Sequence, residues 1–254
     1  MPNPAKNKGE ILIFPNPEEL SRAAAKMFVE LAVEAIETSN RFTVALAGGS
    51  TPRRMYELLA DNDQEFRDHI DWEKTHFFFG DERHVPPDSP ESNFRMANEA
   101  LFSKIDLPTA NVHRFLTENS DAAQVAELYE NELKSFCSTD LPVFDLILLG
   151  LGSDAHTASL FPESPIVEEQ NRLVAAPFVE KLGVCRLTLT PLVINNAANI
   201  IFLVAGTDKA EALRNVLQGE PDPLKFPAQI VSPTNGKLIW LADNAAAKLL
   251  SKND

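Results

Sequence analysis

Residues Phe144–Pro162 read Phe-Asp-Leu-Ile-Leu-Leu-Gly-Leu-Gly-Ser-Asp-Ala-His-Thr-Ala-Ser-Leu-Phe-Pro. The first part, Phe144–Leu149, is an apolar run whose only charge is Asp145. A short apolar run without polar alternation predicts a strand covered on both faces, as in a parallel sheet. It opens directly into glycines, hydroxyls and the pair Asp154 and His156, two residues apart. A buried strand that ends in a carboxylate and an imidazole is either a site or a turn, and the rest of the chain decides which.

Strand-like and helix-like stretches alternate along the chain. Glu10–Phe14, Phe42–Ala47, Thr75–Phe79, Ile200–Val204 and Lys237–Ala242 have the length and apolar character of strands. Leu20, Ala24, Met27, Leu31 and Ala35 recur at helical spacing, as do Val125, Leu128, Tyr129, Leu133 and Phe136. Further helices are expected from Pro52, over about Ser92 to Phe102, and over Asn244–Leu250, while Cys185–Ala197 reads as a strand entering a helix. The alternation predicts the α/β class, with a mostly parallel sheet and helices on both faces. No linker is visible, so residues 1–254 are expected to form a single domain with room for a small insertion.

Composition excludes several classes. The net charge of −14 argues against nucleic-acid binding, which needs a basic face, yet a few local cations can still dominate a cleft. No apolar run approaches the roughly 20 residues that span a bilayer. MPNPAKNKGE holds no apolar signal core, so no export signal is expected. Cys137 and Cys185 have neither metal-type spacing nor a disulfide framework, and a cytoplasmic, reducing setting is the default. A monomer or weak homo-oligomer is expected.

Four strands run into polar loops: Gly48-Gly49-Ser50-Thr51, Gly80-Asp81-Glu82-Arg83, Gly152-Ser153-Asp154-Ala155-His156 and Gly206-Thr207-Asp208-Lys209. Parallel strands would bring all four to one sheet edge, where ligands of open α/β sheets bind. The first offers glycines and a helix N-terminus to a phosphate, although it lacks the Walker lysine, and Ser50 or Thr51 could equally be a plain N-cap. In the second, Arg83 could grip an anion or form an internal ion pair with a neighbouring acid. Asn93 and Arg95 read as helix-surface residues, and His84 is a weak candidate. In the third, His156 suits a general base with Asp154 holding its tautomer; the alternative is a loop histidine satisfied by backbone. No Gly-x-Ser-x-Gly elbow supports a serine nucleophile. In the fourth, Lys209 adds a positive charge near a helix start, and Arg186 is a further cation.

Together, ALAGGSTPRRMYELL, FFFGDERHVPPDSPESNFRMANEALF, FDLILLGLGSDAHTASLFP, RLTLTPLVINNA and AGTDKAEAL resemble, in order, the 6-phosphogluconolactonase family. The resemblance implies hydrolysis of 6-phospho-D-glucono-1,5-lactone to 6-phospho-D-gluconate in the oxidative pentose phosphate pathway. It implies a Rossmann-like fold shared with glucosamine-6-phosphate deaminases, a sugar-phosphate lactone as small-molecule partner, and no metal or organic cofactor. Carried across by residue, His156 is the expected base that activates water, with Asp154 beside it and Arg83 as a substrate-site cation. Gly48, Gly49, Ser50, Thr51, Arg186 and Lys209 form the expected phosphate cradle. The family usually reads Asp-Gly-His where this chain has Asp154-Ala155-His156, so a positive φ at that position would carry a cost here.

A deaminase is the nearest rival. Deaminases carry Met-Asp-Glu-Tyr where this chain has Gly80-Asp81-Glu82-Arg83, and Asn-Glu-Pro where it has Leu160-Phe161-Pro162. A non-catalytic sugar-phosphate sensor on the same scaffold is the second alternative.

Overall fold

In the computed structural model, which describes residues 9–61, 66–137 and 139–251, six parallel strands form the central sheet. Residues 1–8, most of the stretch read for an export signal, lie outside the described residues. The chain order is β1 (Glu10–Phe14), α1 (Pro17–Ser39), β2 (Phe42–Leu46), α2 (Ser50–Ala60), β3 (Thr75–Phe79), β4 (Asp81–Arg83), α3 (Asn93–Ala100) and α4 (Ala122–Cys137). It continues with β5 (Leu146–Gly150), β6 (Val174–Ala175), β7 (Phe178–Val179), β8 (Val184–Leu189), α5 (Pro191–Ile194), β9 (Asn199–Val204), α6 (Ala210–Gln218), β10 (Lys237–Asp243) and α7 (Asn244–Ala247).

Local chemistry sets the element ends. Helix α1 begins where Asn16 accepts a hydrogen bond from the Glu19 N–H at 2.9 Å, followed by Pro17, and it stops at Asn40 with φ 59. Its buried stripe of Leu20, Ala24, Ala25, Phe28 and Ala32 faces the sheet, and Phe28 meets Phe42 edge to face at 5.2 Å. Helix α2 starts at Ser50 rather than Pro52 because Gly49, at φ 108, is its N-cap. Strand β5 starts later than the apolar run suggests. Asp145 accepts hydrogen bonds from the Thr43 backbone N–H and hydroxyl at 2.8 and 2.7 Å, which ties the base of β5 to β2 through a side chain. Helix α7 ends at Ala247, short of Leu250.

The strand order β1-β10-β9-β5-β2-β3 reverses direction between β2 and β5. Those two strands pair only at Val44↔Leu146 and Ala45↔Ile147, so their carboxyl ends border a crevice at the switch point. One expectation is corrected. Asp81–Arg83 is not a loop but strand β4, which pairs antiparallel with β8 in a small second sheet completed by β6, with β7 also paired to β8. Strand β8 falls in the stretch read as a strand entering a helix, whereas β4, β6 and β7 are only two or three residues long and too short to register in the sequence.

The segment after β5 folds back tightly. The Gly152 N–H donates to the His156 carbonyl at 2.8 Å, and the Ala155 N–H donates to the Gly152 carbonyl at 3.0 Å. Closing that turn holds Ala155 at φ 65 with its methyl buried. A left-handed conformation costs an L residue about 1–2 kcal/mol. Glycine would remove that cost but lose about 0.8 kcal/mol of buried methyl and add about 0.4–1 kcal/mol of unfolded-state freedom. These terms nearly cancel. Ala155→Gly is therefore expected to shift urea-denaturation stability by less than about 1 kcal/mol, whereas the β-branched Ala155→Val should cost more than about 2 kcal/mol.

Away from the crevice, His76 on β3 lies 3.2 Å from His113 Nε2, and His113 Nδ1 lies 2.7 Å from Glu132 of α4. The His113 ring stacks on Phe78 at 4.2 Å. Burial first, then the nearby His113 and Arg41, hold His76 below the usual histidine range. The unfolded chain then takes up a proton near pH 6.5 that the folded chain refuses until lower pH, so this histidine removes stability as pH falls. Thermal unfolding at about pH 7.5 and about pH 5.5 should show a smaller acid loss of Tm in His76→Asn than in the wild type. An equal loss would contradict this assignment.

Candidate active site

A cavity of about 260 Å³ opens at the switch point. Its walls come from Leu46–Gly49 after β2, Gly80, Asp81 and Arg83 after β3, Leu148–Gly152 and His156 from β5 and its loop, and Lys209 before α6. The four polar segments do converge on one edge. A larger hollow of about 560 Å³ lies at Ser164–Phe178, but its charged pair, Arg172 and Glu169, is already joined at 2.5 Å. The smaller cavity is the candidate site.

Two buried tyrosines fix the strand ends that border it. Tyr56 of α2 accepts from the Ala47 N–H at 3.1 Å and donates to the Ala47 carbonyl at 2.9 Å. Tyr129 of α4 accepts from the Phe79 N–H at 2.8 Å. Burial pushes both phenols well above their usual range, so they remain neutral hydrogen-bonding clamps. They satisfy backbone groups where the ladders stop and the functional segments begin.

His156 and Asp154 are in contact. Asp154 Oδ1 lies 2.5 Å from His156 Nδ1, and the imidazole stacks on Phe161 at 4.3 Å. The His156 hydrogen bond, with support from the lysine Lys181, holds the Asp154 carboxyl well below the usual carboxylate range, against the burial that opposes it. An ionised carboxylate only accepts, so Nδ1 carries the proton and Nε2 keeps the lone pair. That is the tautomer a general base requires. Gly152 lies directly beneath the pair: a Cβ there would sit 2.0 Å from His156 Nδ1 and 2.8 Å from Asp154 Oδ1.

The second segment departs from the ion-pair reading. Glu82 is buried and turns away from the Arg83 guanidinium, accepting from the backbone N–H groups of Asn93 and Phe94 at 2.7 and 2.8 Å and from the Ser92 hydroxyl at 3.1 Å. It therefore caps the start of α3, and these three donors, with the Arg83 backbone N–H at 2.8 Å, oppose the burial that pushes its carboxyl up. The Arg83 guanidinium donates to the Glu91 carbonyl at 2.5 Å and lines the cavity. Arg186 is directly opposite Arg83 in the β4–β8 pair. Its Nε is buried without a protein partner, and burial first, then the Arg83 charge, disfavours its charged form. An anion beside the two guanidiniums would relieve both penalties.

Gly48 faces the Asn93 amide so closely that a Cβ would fall 2.0 Å from its Oδ1. Asn93 is thus not a helix-surface residue. It is 2% exposed, lines the cavity and donates to the Asp81 carbonyl at 2.9 Å, while Asp81 Oδ2 accepts from the Ser159 hydroxyl at 2.8 Å. Asn93, Asp81 and Gly152 are cavity groups to which sequence reasoning gave no role, because their significance depends on contacts between distant segments. Ser50 and Thr51 form the first turn of α2 behind Gly49, and neither is its cap. Lys209 lines the cavity with its Nζ 3.0 Å from Asp208. His84 contacts the Asn119 carbonyl at 2.7 Å, and Arg95 pairs with Glu99 at 2.7 Å, so both are engaged elsewhere.

Among the described residues no helix is long and apolar enough to cross a membrane. Residues 15–240 match the family model described as glucosamine-6-phosphate isomerases/6-phosphogluconolactonase. The 6-phosphogluconolactonase of Synechocystis is 45% identical over 85% of this chain and 88% of its own. That of Nostoc is 38% identical over 96% and 99%, respectively. Among solved structures, 6-phosphogluconolactonase from Trypanosoma cruzi superposes with a TM-score of 0.83 at 33% identity, covering 96% of this chain and 97% of its own. The parallel sheet, the crevice at its switch point and these matches agree: the chain belongs to the glucosamine-6-phosphate isomerase/6-phosphogluconolactonase family.

Proposed function

We propose that this chain hydrolyses 6-phospho-D-glucono-1,5-lactone to 6-phospho-D-gluconate, the lactone step of the oxidative pentose phosphate pathway. The observation that carries the mechanism is the Asp154–His156 contact at the cavity wall, which leaves Nε2 as the basic nitrogen. His156 takes a proton from water as the water oxygen adds to the lactone carbonyl carbon. The carbonyl electrons move onto oxygen, and the tetrahedral oxyanion collapses with cleavage of the bond to the ring oxygen. The imidazolium then returns its proton to that departing oxygen. Asp154 stays ionised throughout and stabilises the imidazolium.

The cations serve the phosphate and the developing charge. Arg83, Lys209 and the N-terminus of α2 behind Gly48 and Gly49 line one small cavity in an otherwise acidic chain, and Arg186 stands opposite Arg83 across β4 and β8. Holding the phosphate orients the lactone carbonyl against His156. Cys137 and Cys185 are both free thiols, which suits a reducing, cytoplasmic compartment.

One observation favours hydrolysis over deamination. Phe161 stands where the resemblance places a deaminase glutamate, and its ring stacks on His156. Glu163, the next carboxylate, sits at φ 62 with its N–H bonded to the Leu224 carbonyl, and it is not on the cavity wall.

The direct test is hydrolysis of freshly prepared lactone. His156→Ala should lower kcat by at least about 10²-fold, and unchanged activity would refute the base assignment. Gly152→Ala, which drives a methyl into the imidazole, should cost about 10²-fold while leaving the fold intact by circular dichroism. Unphosphorylated gluconolactone should turn over far more slowly than the phosphorylated substrate, and equal turnover would remove the cationic cradle from the account.

A further inference from the structure

Asp154 has a second partner that neither the motif nor the mechanism above uses. Its Oδ1 faces the His156 ring, while its Oδ2 lies 3.2 Å from Lys181 Nζ. Lys181 comes from the turn joining β7 to β8. That turn is closed by the Leu182 and Gly183 N–H groups donating to the Val179 carbonyl, each at 2.9 Å, and by Gly183 at φ 65. The two oxygens of one carboxylate are thus shared between the imidazole and a lysine supplied from 27 residues further along the chain. Strand β8, which leaves the same turn, also carries Arg186 opposite Arg83. One hairpin therefore carries both the lysine that meets Asp154 and the arginine opposite Arg83.

We propose that Lys181 is a positioning residue for the hydrolysis, acting through Asp154 on His156. This inference rests on reading His156 as the base. The charges around the imidazole are Asp154 on its own loop, Asp81 and Arg83 on β4, Lys209 before α6 and Lys181 from the hairpin. Lys181 has two physical effects there. It fixes the carboxylate plane so that Oδ1 meets Nδ1, and it offsets part of the carboxylate charge that would otherwise make the imidazole more basic. A dianionic phosphate entering the cavity pushes in the same direction as Asp154, toward a protonated ring that cannot accept a proton from water. A cation on the far oxygen limits that push. Because the Lys181 side chain is 73% exposed, its contact is labile and screened by salt, so its effect is graded rather than absolute.

The test is a cycle of Lys181→Met, Asp154→Asn and the double variant, with Lys181→Arg as the conservative control and His156→Ala alongside. Lys181→Met should lower kcat roughly 3- to 10-fold with little change in KM. It should also move the acid limb of the rate profile, and the His156 ring titration followed by 15N NMR, upward by roughly 0.3–0.5 pH unit at low salt. Lys181→Arg should restore both. In the Asp154→Asn background, Lys181→Met should change neither. A raised KM with unchanged kcat would show that Lys181 grips the substrate instead. An equal loss in both backgrounds would show that it does not act through Asp154. Either result overturns the inference while leaving the His156 assignment intact, whereas full activity in His156→Ala overturns both.

Discussion

The seam between β2 and β5 is the constraint on which the site depends. The two strands share only two residue pairs, and Asp145 secures them from below by taking both polar groups of Thr43. Above that clamp, β2 delivers Gly48 and Gly49, while β5 delivers Gly152 and His156. Because chain order reverses at this seam, the helices that follow β2 and the loop that follows β5 diverge, and a crevice is left between them. Tyr56 and Tyr129 then satisfy the strand-end backbone groups that the ladders no longer reach. A ligand site at this edge follows from the topology, before any particular side chain is considered.

On that scaffold, close approach matters as much as charge. Gly152 is bare because the imidazole and its carboxylate lie where a methyl would be, and Gly48 is bare because Asn93 does. The electrostatics are equally local. The chain carries a net charge of −14, yet Arg83 and Lys209 line one small cavity and Arg186 stands opposite Arg83 in the β4–β8 pair. Burial makes the Arg186 charge costly without an anion, whereas Glu82 meets the same problem with hydrogen bonds from the start of α3. One carboxylate is satisfied by the fold, whereas the Arg186 Nε is buried without a partner among the described residues.

Much of this was legible in the sequence. Strand ends at Phe14 and Phe79 and the parallel sheet follow from apolar run length, and the gathering of four segments follows from the glycines after β2, β3, β5 and β9. The pairing of Asp154 with His156 follows from their spacing. The positive φ at Ala155 was visible only as a departure from the Asp-Gly-His pattern. What stayed hidden depends on long-range geometry. Strand β4 is three residues of charged sequence that pair with a partner about a hundred positions away. Glu82 reads as an ion-pair candidate for Arg83 until α3 is seen to begin beside it. Asn93 reads as surface until Gly48 packs on it, and Lys181 lies in a turn with no motif at all.

Beside the imidazole, Phe161 stacks at the position where the resemblance places a deaminase glutamate. A hydrolase needs one base and a held phosphate; amine release from an amino sugar needs further acid–base groups at the ring. The measurement that separates these chemistries most directly is a pair of initial rates on one preparation: acid release from 6-phosphogluconolactone and ammonia release from glucosamine 6-phosphate. The account predicts lactone hydrolysis well above the spontaneous rate and no ammonia. Ammonia release without enhanced lactone hydrolysis would contradict it.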